Sequence, residues 1–174
     1  MGIEPDIICL SKSIGGYGLP MAITLLKPNI DEWLPGEHNG TFRGNNLGFI
    51  AATEALGYWE SDDFEISIMR KAQTIQSALE QMVSQHPGLK GEIRGRGLIQ
   101  GIAFEIDGLA ERLSEIVFRQ GLIMETSGPR SEVAKLMPPL TIEDTTLEQG
   151  LKIVAAGMEQ LAAYVLHENK ISNS

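Results

Sequence analysis

Leu10-Ser11-Lys12-Ser13-Ile14-Gly15-Gly16-Tyr17-Gly18-Leu19-Pro20 is the stretch on which the reading of this chain turns. The residues leading into it, Ile7-Ile8-Cys9-Leu10, form a short apolar run of the kind that makes a buried strand. Three glycines within four positions follow Ile14, so the strand is expected to give way to a flexible turn. A lysine held at a strand end beside a cavity loses its proton more readily than a solvated one. Its amine can then attack a carbonyl to form a Schiff base. Most lysines are solvated surface charges, and the same glycines also suit a plain tight turn. The residues downstream give the segment its meaning.

Further along stands His38-Asn39-Gly40-Thr41-Phe42-Arg43-Gly44-Asn45-Asn46. With Glu4-Pro5-Asp6-Ile7 and the Lys12 segment, this block resembles the class-III (fold type I) pyridoxal-phosphate aminotransferases. The resemblance continues through Arg94-Gly95-Arg96-Gly97-Leu98 and Leu136-Met137-Pro138-Pro139-Leu140, and so reaches to about residue 165. It implies an α/β fold: residues 1–59 as the second half of the large cofactor domain, residues 60–168 as the small C-terminal α/β domain, and 169–174 as a polar tail.

The resemblance also assigns roles. Lys12 is then the Schiff-base lysine that holds pyridoxal 5′-phosphate and moves a proton as general acid and base. Thr41 binds the cofactor phosphate held by the other subunit of a homodimer; read on its own, it is equally a turn threonine before a helix. Lys135 stands three residues before Pro138, where many members carry an arginine that grips a substrate carboxylate. A lysine supplies the charge without the planar fork, and a solvated strand lysine is the other reading. This departure, with Glu37-His38-Asn39-Gly40 and Glu125-Thr126-Ser127-Gly128-Pro129, resembles the branch of the family that serves ectoine biosynthesis. The implied reaction exchanges an amino group between glutamate/2-oxoglutarate and L-2,4-diaminobutyrate/aspartate semialdehyde. Another ω-amino acid, an inactive assembly partner, and an autonomous binding module over residues 60–166 are the alternatives. Family features expected before the lysine, namely a phosphate loop, a ring-stacking aromatic and an aspartate for the pyridine nitrogen, have no counterpart in the chain. It therefore reads as a truncated or split enzyme, inactive alone, with a separately encoded N-terminal half as a possible partner.

Composition agrees with a single ordinary globular chain: 174 residues, 43% hydrophobic, 21% charged. The net charge of −9 argues against a nucleic-acid or anionic-membrane surface, both of which need a basic footprint. Cys9 is the sole cysteine, so no internal disulfide forms and a cytoplasmic setting is expected. His38, His86 and His167 are too scattered for a metal-ligand spacing. Glu105 and Asp107 read as solvated carboxylates.

The pattern predicts strands at 7–10 and 21–26, then a helix from Asn45 or Asn46 to about 59 with Leu47, Ile50, Ala51 and Leu56 as its apolar positions. A second helix follows from about 62, with Ile68, Met69, Ala72, Ile75, Leu79, Met82 and Val83 at helical spacing and His86-Pro87-Gly88 as its stop. Strands are expected near 90–94, 98–106, 122–126 and 133–137, with a helix at 108–120. Thr145-Thr146-Leu147-Glu148 offers a capping box for a last helix carrying Leu147, Leu151, Val154, Met158, Leu161 and Val165 on one stripe. Residues 60–166 have enough apolar pattern to close their own core. Residues 1–59 are expected to leave strand edges and an apolar helix face uncovered.

Overall fold

The computed structural model describes residues 2–16, 18–40 and 43–172, with side chains through residue 168. The chain divides into two compact units, Met1–Phe64 and Glu65–Ser174.

In the first unit, β1 (Ile7–Ser11) pairs antiparallel with β2 (Ala22–Leu26), from Ile7 opposite Leu26 to Ser11 opposite Ala22. Helix α1 (Asn46–Gly57) follows a long loop. The strand at Ile7 was expected to be buried, and it is not: every residue of β1 is exposed. Among the described residues these two strands pair only with each other, and a two-stranded ribbon offers little cover, so β-branched side chains such as Ile7 remain open. Helix α1 departs from expectation in the same way. Its buried positions are Gly48 and Ala52, whereas Leu47, Ile50 and Leu56 are more than half exposed. Small residues face the rest of the unit because the neighbouring backbone comes close, and the large ones point away.

The second unit is built from α2 (Asp63–Gln85), β3 (Gly91–Arg96), β4 (Ile99–Phe104), α3 (Leu109–Phe118), β5 (Glu125–Ser127), β6 (Val133–Leu136) and α4 (Asp144–Ser172). Its sheet is antiparallel throughout, in the order β3-β4-β6-β5. The β3–β4 hairpin closes through Gly97-Leu98 with Gly97 at φ +61°, the left-handed first position that a two-residue hairpin turn requires. Gly95 is equally constrained: a Cβ there would lie 2.2 Å from the Ile99 carbonyl oxygen. Alternate residues of β4 and β6, Ile102, Phe104 and Ala134, join a single core with Ile75, Leu79 and Met82 of α2 and Leu113 and Val117 of α3. The α4 stripe completes it, with Leu147, Leu151, Val154, Met158 and Leu161 all buried.

Three local expectations are corrected. Met69 is 63% exposed, and Lys71 takes the place on the buried stripe of α2 one turn before Ile75. Helix α4 starts at Asp144, so Thr145 lies within the first turn and does not cap it. The strand expected over 122–126 is the short β5, because Leu122 and Met124 turn into the core and only Glu125–Ser127 pair with β6.

Candidate functional site

Lys12 sits where β1 ends. Ser11 is still extended, but Lys12 has φ +58°, in the left-handed region that non-glycine residues seldom adopt. It opens a 3-10 turn, Lys12–Gly15, closed by the Gly16 N–H donating to the Ser13 carbonyl at 3.1 Å. The turn lies against α1 because it is glycine: a Cβ at Gly16 would stand 3.3 Å from the Ala51 carbonyl oxygen, and Gly15 is buried beside Met21. The Lys12 side chain is exposed and has no ion pair or hydrogen bond among the described residues. A non-glycine residue held in a costly backbone conformation at the end of a strand is a feature that gathers at functional sites. Sequence reading located the lysine but had no signal for this backbone.

The start of α1 is well made. The Asn45 side-chain oxygen accepts the Leu47 N–H at 3.1 Å, and the Arg43 N–H donates to the Gly40 carbonyl at 2.9 Å. The Arg43 guanidinium contacts the His38 ring, which packs against Trp33 with ring centroids 4.7 Å apart. Thr41, expected to bind phosphate, lies outside the described residues.

Lys135 belongs to the other unit. It sits on β6 opposite Gly101 of β4 and Glu125 of β5, and its ammonium pairs with the Glu125 carboxylate at 3.0 Å. Nothing in the sequence pattern singled out Glu125 as that partner, since cross-strand register had to be known first. Glu105 and Asp107 are exposed and pair with Lys90 (3.5 Å) and Arg130 (2.8 Å). The Glu132 carboxyl is held below its ordinary range. It accepts its own backbone N–H and that of Arg130, the latter at 3.0 Å, and the Arg130 and Arg94 charges add to this. Among the described residues no three His, Cys, Asp or Glu side chains gather closely enough to hold a metal ion. No helix there is long and apolar enough to cross a membrane.

A family profile described as aminotransferase class-III matches residues 1–157. A diaminobutyrate–2-oxoglutarate transaminase of Halalkalibacterium halodurans is 57% identical over 160 residues, covering 92% of this chain and 38% of that protein. One from Vibrio parahaemolyticus is 49% identical over 163 residues, covering 93% and 39%. The chain therefore spans well under half the length of these curated relatives. Among solved structures, the acetylornithine aminotransferase of Elizabethkingia anophelis superposes with a TM-score of 0.78 at 25% identity, over 91% of this chain and 42% of that one. The ornithine aminotransferase of Toxoplasma gondii gives 0.82 at 23% identity, over 94% and 39%. The second likeness shows the fold alone.

Proposed function

Because this chain belongs to the class-III aminotransferases, we propose that it carries the lysine-bearing part of a pyridoxal-phosphate transaminase. The reaction we assign is amino-group exchange between glutamate/2-oxoglutarate and L-2,4-diaminobutyrate/aspartate semialdehyde. The observation that carries this reading is Lys12: an exposed amine, unpaired among the described residues, at a strand end, on a left-handed backbone, in a turn packed against α1.

The residues present fit that cofactor. Pyridoxal phosphate, when bound, supplies an aldehyde for the amino group and an electron-poor ring that draws charge from the amine-bearing carbon of the substrate. The chain supplies a primary amine with no acidic partner among the described residues, and Lys12 Nζ is the group we assign to take up and return the proton. The glycine contacts of the turn with Ala51 and Met21 fix where that amine starts. The sequence Gly40-Thr41-Phe42-Arg43-Gly44 supports Thr41 as a phosphate donor across a homodimer interface. To Lys135, its side chain 23% exposed, we assign a second role, holding a substrate carboxylate by charge in place of its Glu125 partner. Cys9 is a free, exposed thiol, which suits a reducing cytoplasmic setting.

The test is chemical. The purified chain is incubated with pyridoxal phosphate, reduced with borohydride and mapped by peptide mass. A pyridoxyl group on the peptide containing Lys12, absent in Lys12→Ala, is the expected result. Labelling that prefers another lysine and persists unchanged in Lys12→Ala overturns the assignment.

A further inference from the structure

Asparagine is among the thermolabile side chains. Its weakness is the backbone nitrogen that follows it, which can reach the side-chain carbonyl carbon and close a five-membered ring. Three conditions set the pace: how bulky the next residue is, whether that nitrogen is free, and whether the side-chain amide is held. The chain has asparagines at 29, 39, 45, 46, 169 and 173, and only Asn39 is followed by glycine, the residue that leaves the approach open.

The asparagines of the first unit separate on these conditions. At Asn29 the attacking nitrogen would be that of Ile30, a β-branched residue, and its N–H already donates to the Lys27 carbonyl at 3.1 Å. At Asn46 it would be that of Leu47, whose N–H donates to the Asn45 side chain at 3.1 Å. The same bond occupies the Asn45 side-chain oxygen and holds that amide at the helix start. Asn39 has none of these restraints. It is exposed, lies outside any helix or strand, and its side-chain amide makes no hydrogen bond among the described residues. The Gly40 carbonyl accepts the Arg43 N–H at 2.9 Å, but the Gly40 N–H donates to no acceptor there.

Packing also explains why the susceptible pair contains glycine. A Cβ at residue 40 would lie 2.5 Å from Arg43 Cδ and 2.7 Å from its Cγ. The Arg43 stem, whose guanidinium contacts the His38 ring, occupies the space that a protecting side chain would need.

We propose that Asn39 is a site of spontaneous covalent modification, converting to aspartate and isoaspartate. The Gly40 nitrogen bonds to Asn39 Cγ, the Cγ–Nδ2 bond breaks, and Nδ2 leaves as ammonia with the proton from Gly40. Water then opens the succinimide at either carbonyl, with no change of oxidation state. The product carries a new carboxylate two residues before Thr41, and the isoaspartate form also routes the backbone through Cβ. This chemistry is independent of amino-group transfer at Lys12. The purified 174-residue chain is aged in mildly alkaline buffer, digested, and the amide-to-acid mass change localised by fragment-ion masses. Conversion at Asn39 at least tenfold faster than at Asn29, Asn45 or Asn46 is expected, with isoaspartate among the products. Gly40→Ala should slow it, also in an Arg43→Ala background where the added methyl has room, and Asn39→Gln should remove it. Conversion at Asn39 less than tenfold faster than at Asn45 overturns the proposal. So does a rate that Gly40→Ala leaves unslowed in both backgrounds.

Discussion

Residues 65–174 and residues 1–64 hold similar kinds of apolar side chain and treat them in opposite ways. In the second unit Phe104, Leu113, Met158 and Leu161 are all within a few per cent of complete burial. In the first, Ala52 is the one buried apolar side chain among the described residues, while Leu47, Phe49 and Ile50 stand open. The difference does not come from hydrophobicity. Four strands and three helices give the second unit layers on which to close, and a two-stranded ribbon with one helix cannot do the same. A core needs covering geometry as well as apolar residues. The proposed functional residues follow this contrast: Lys12, the proposed catalytic amine, is on the open unit, and Lys135, proposed to hold a substrate carboxylate, is on the closed one.

The largest effect that could break the contrast is a paired truncation. Leu113→Ala should cost about 2–5 kcal/mol in urea unfolding, as expected for deleting a fully buried leucine. Phe49→Ala, about half exposed, should cost no more than about 0.5 kcal/mol. Equal losses would mean that the two units share one core. Next comes the cap of α1. Asn45→Ala should lower stability of that helix by about 1 kcal/mol, read as faster amide exchange of Leu47 and its neighbours. No change there would show that tertiary contact alone holds α1.

A smaller effect of opposite sign is expected in α4. Gly150→Ala removes a mid-helix glycine where a Cβ has room, and should raise the unfolding midpoint by an amount equivalent to about 0.5–1 kcal/mol. A loss would mean the space beside Leu122 is tighter than its geometry. The smallest effect is at Glu132. Its folded carboxyl titrates below its unfolded value, so its contribution to stability is present above the unfolded pKa and is lost as pH falls toward the folded one. Glu132→Gln should flatten the acid limb of the stability–pH curve and leave neutral pH nearly untouched, as measured by thermal unfolding across that limb.

The same contrast explains what the sequence could convey. The α4 stripe was legible because Leu147, Leu151, Val154, Met158 and Leu161 repeat at helical spacing and the structure gives that face a partner. The strand at Ile7 was legible as a strand but not as an exposed one, since period and propensity do not report whether a second layer exists. Lys71 was missed because a charge on an apolar stripe looks like an interruption; only the position of the Leu140 carbonyl shows how it is accommodated. The capping box at Thr145 failed for a local reason: a helix can begin one turn position earlier when Asp144 is anchored by Arg70. For the candidate site, the neighbours of Lys12 identified the residue, while its left-handed backbone was beyond any pattern of residue types. The Lys135 partner required the β5–β6 register, a property of two strands together.

Helix α4 runs for 29 residues, or about 43 Å at 1.5 Å per residue, and its last fully buried side chain among the described residues is Leu161. Over residues 162–168 contact with the core becomes partial, through Ala162, Val165 and the Tyr164 ring under Arg112, and Leu166 is already 64% exposed. Packing thins there, with Ala162 and Val165 only partly buried, so deuterium should enter residues 162–168 first and its front advance toward Leu161. Where that front stops, near Leu161, would mark on a clock the edge that burial draws in space.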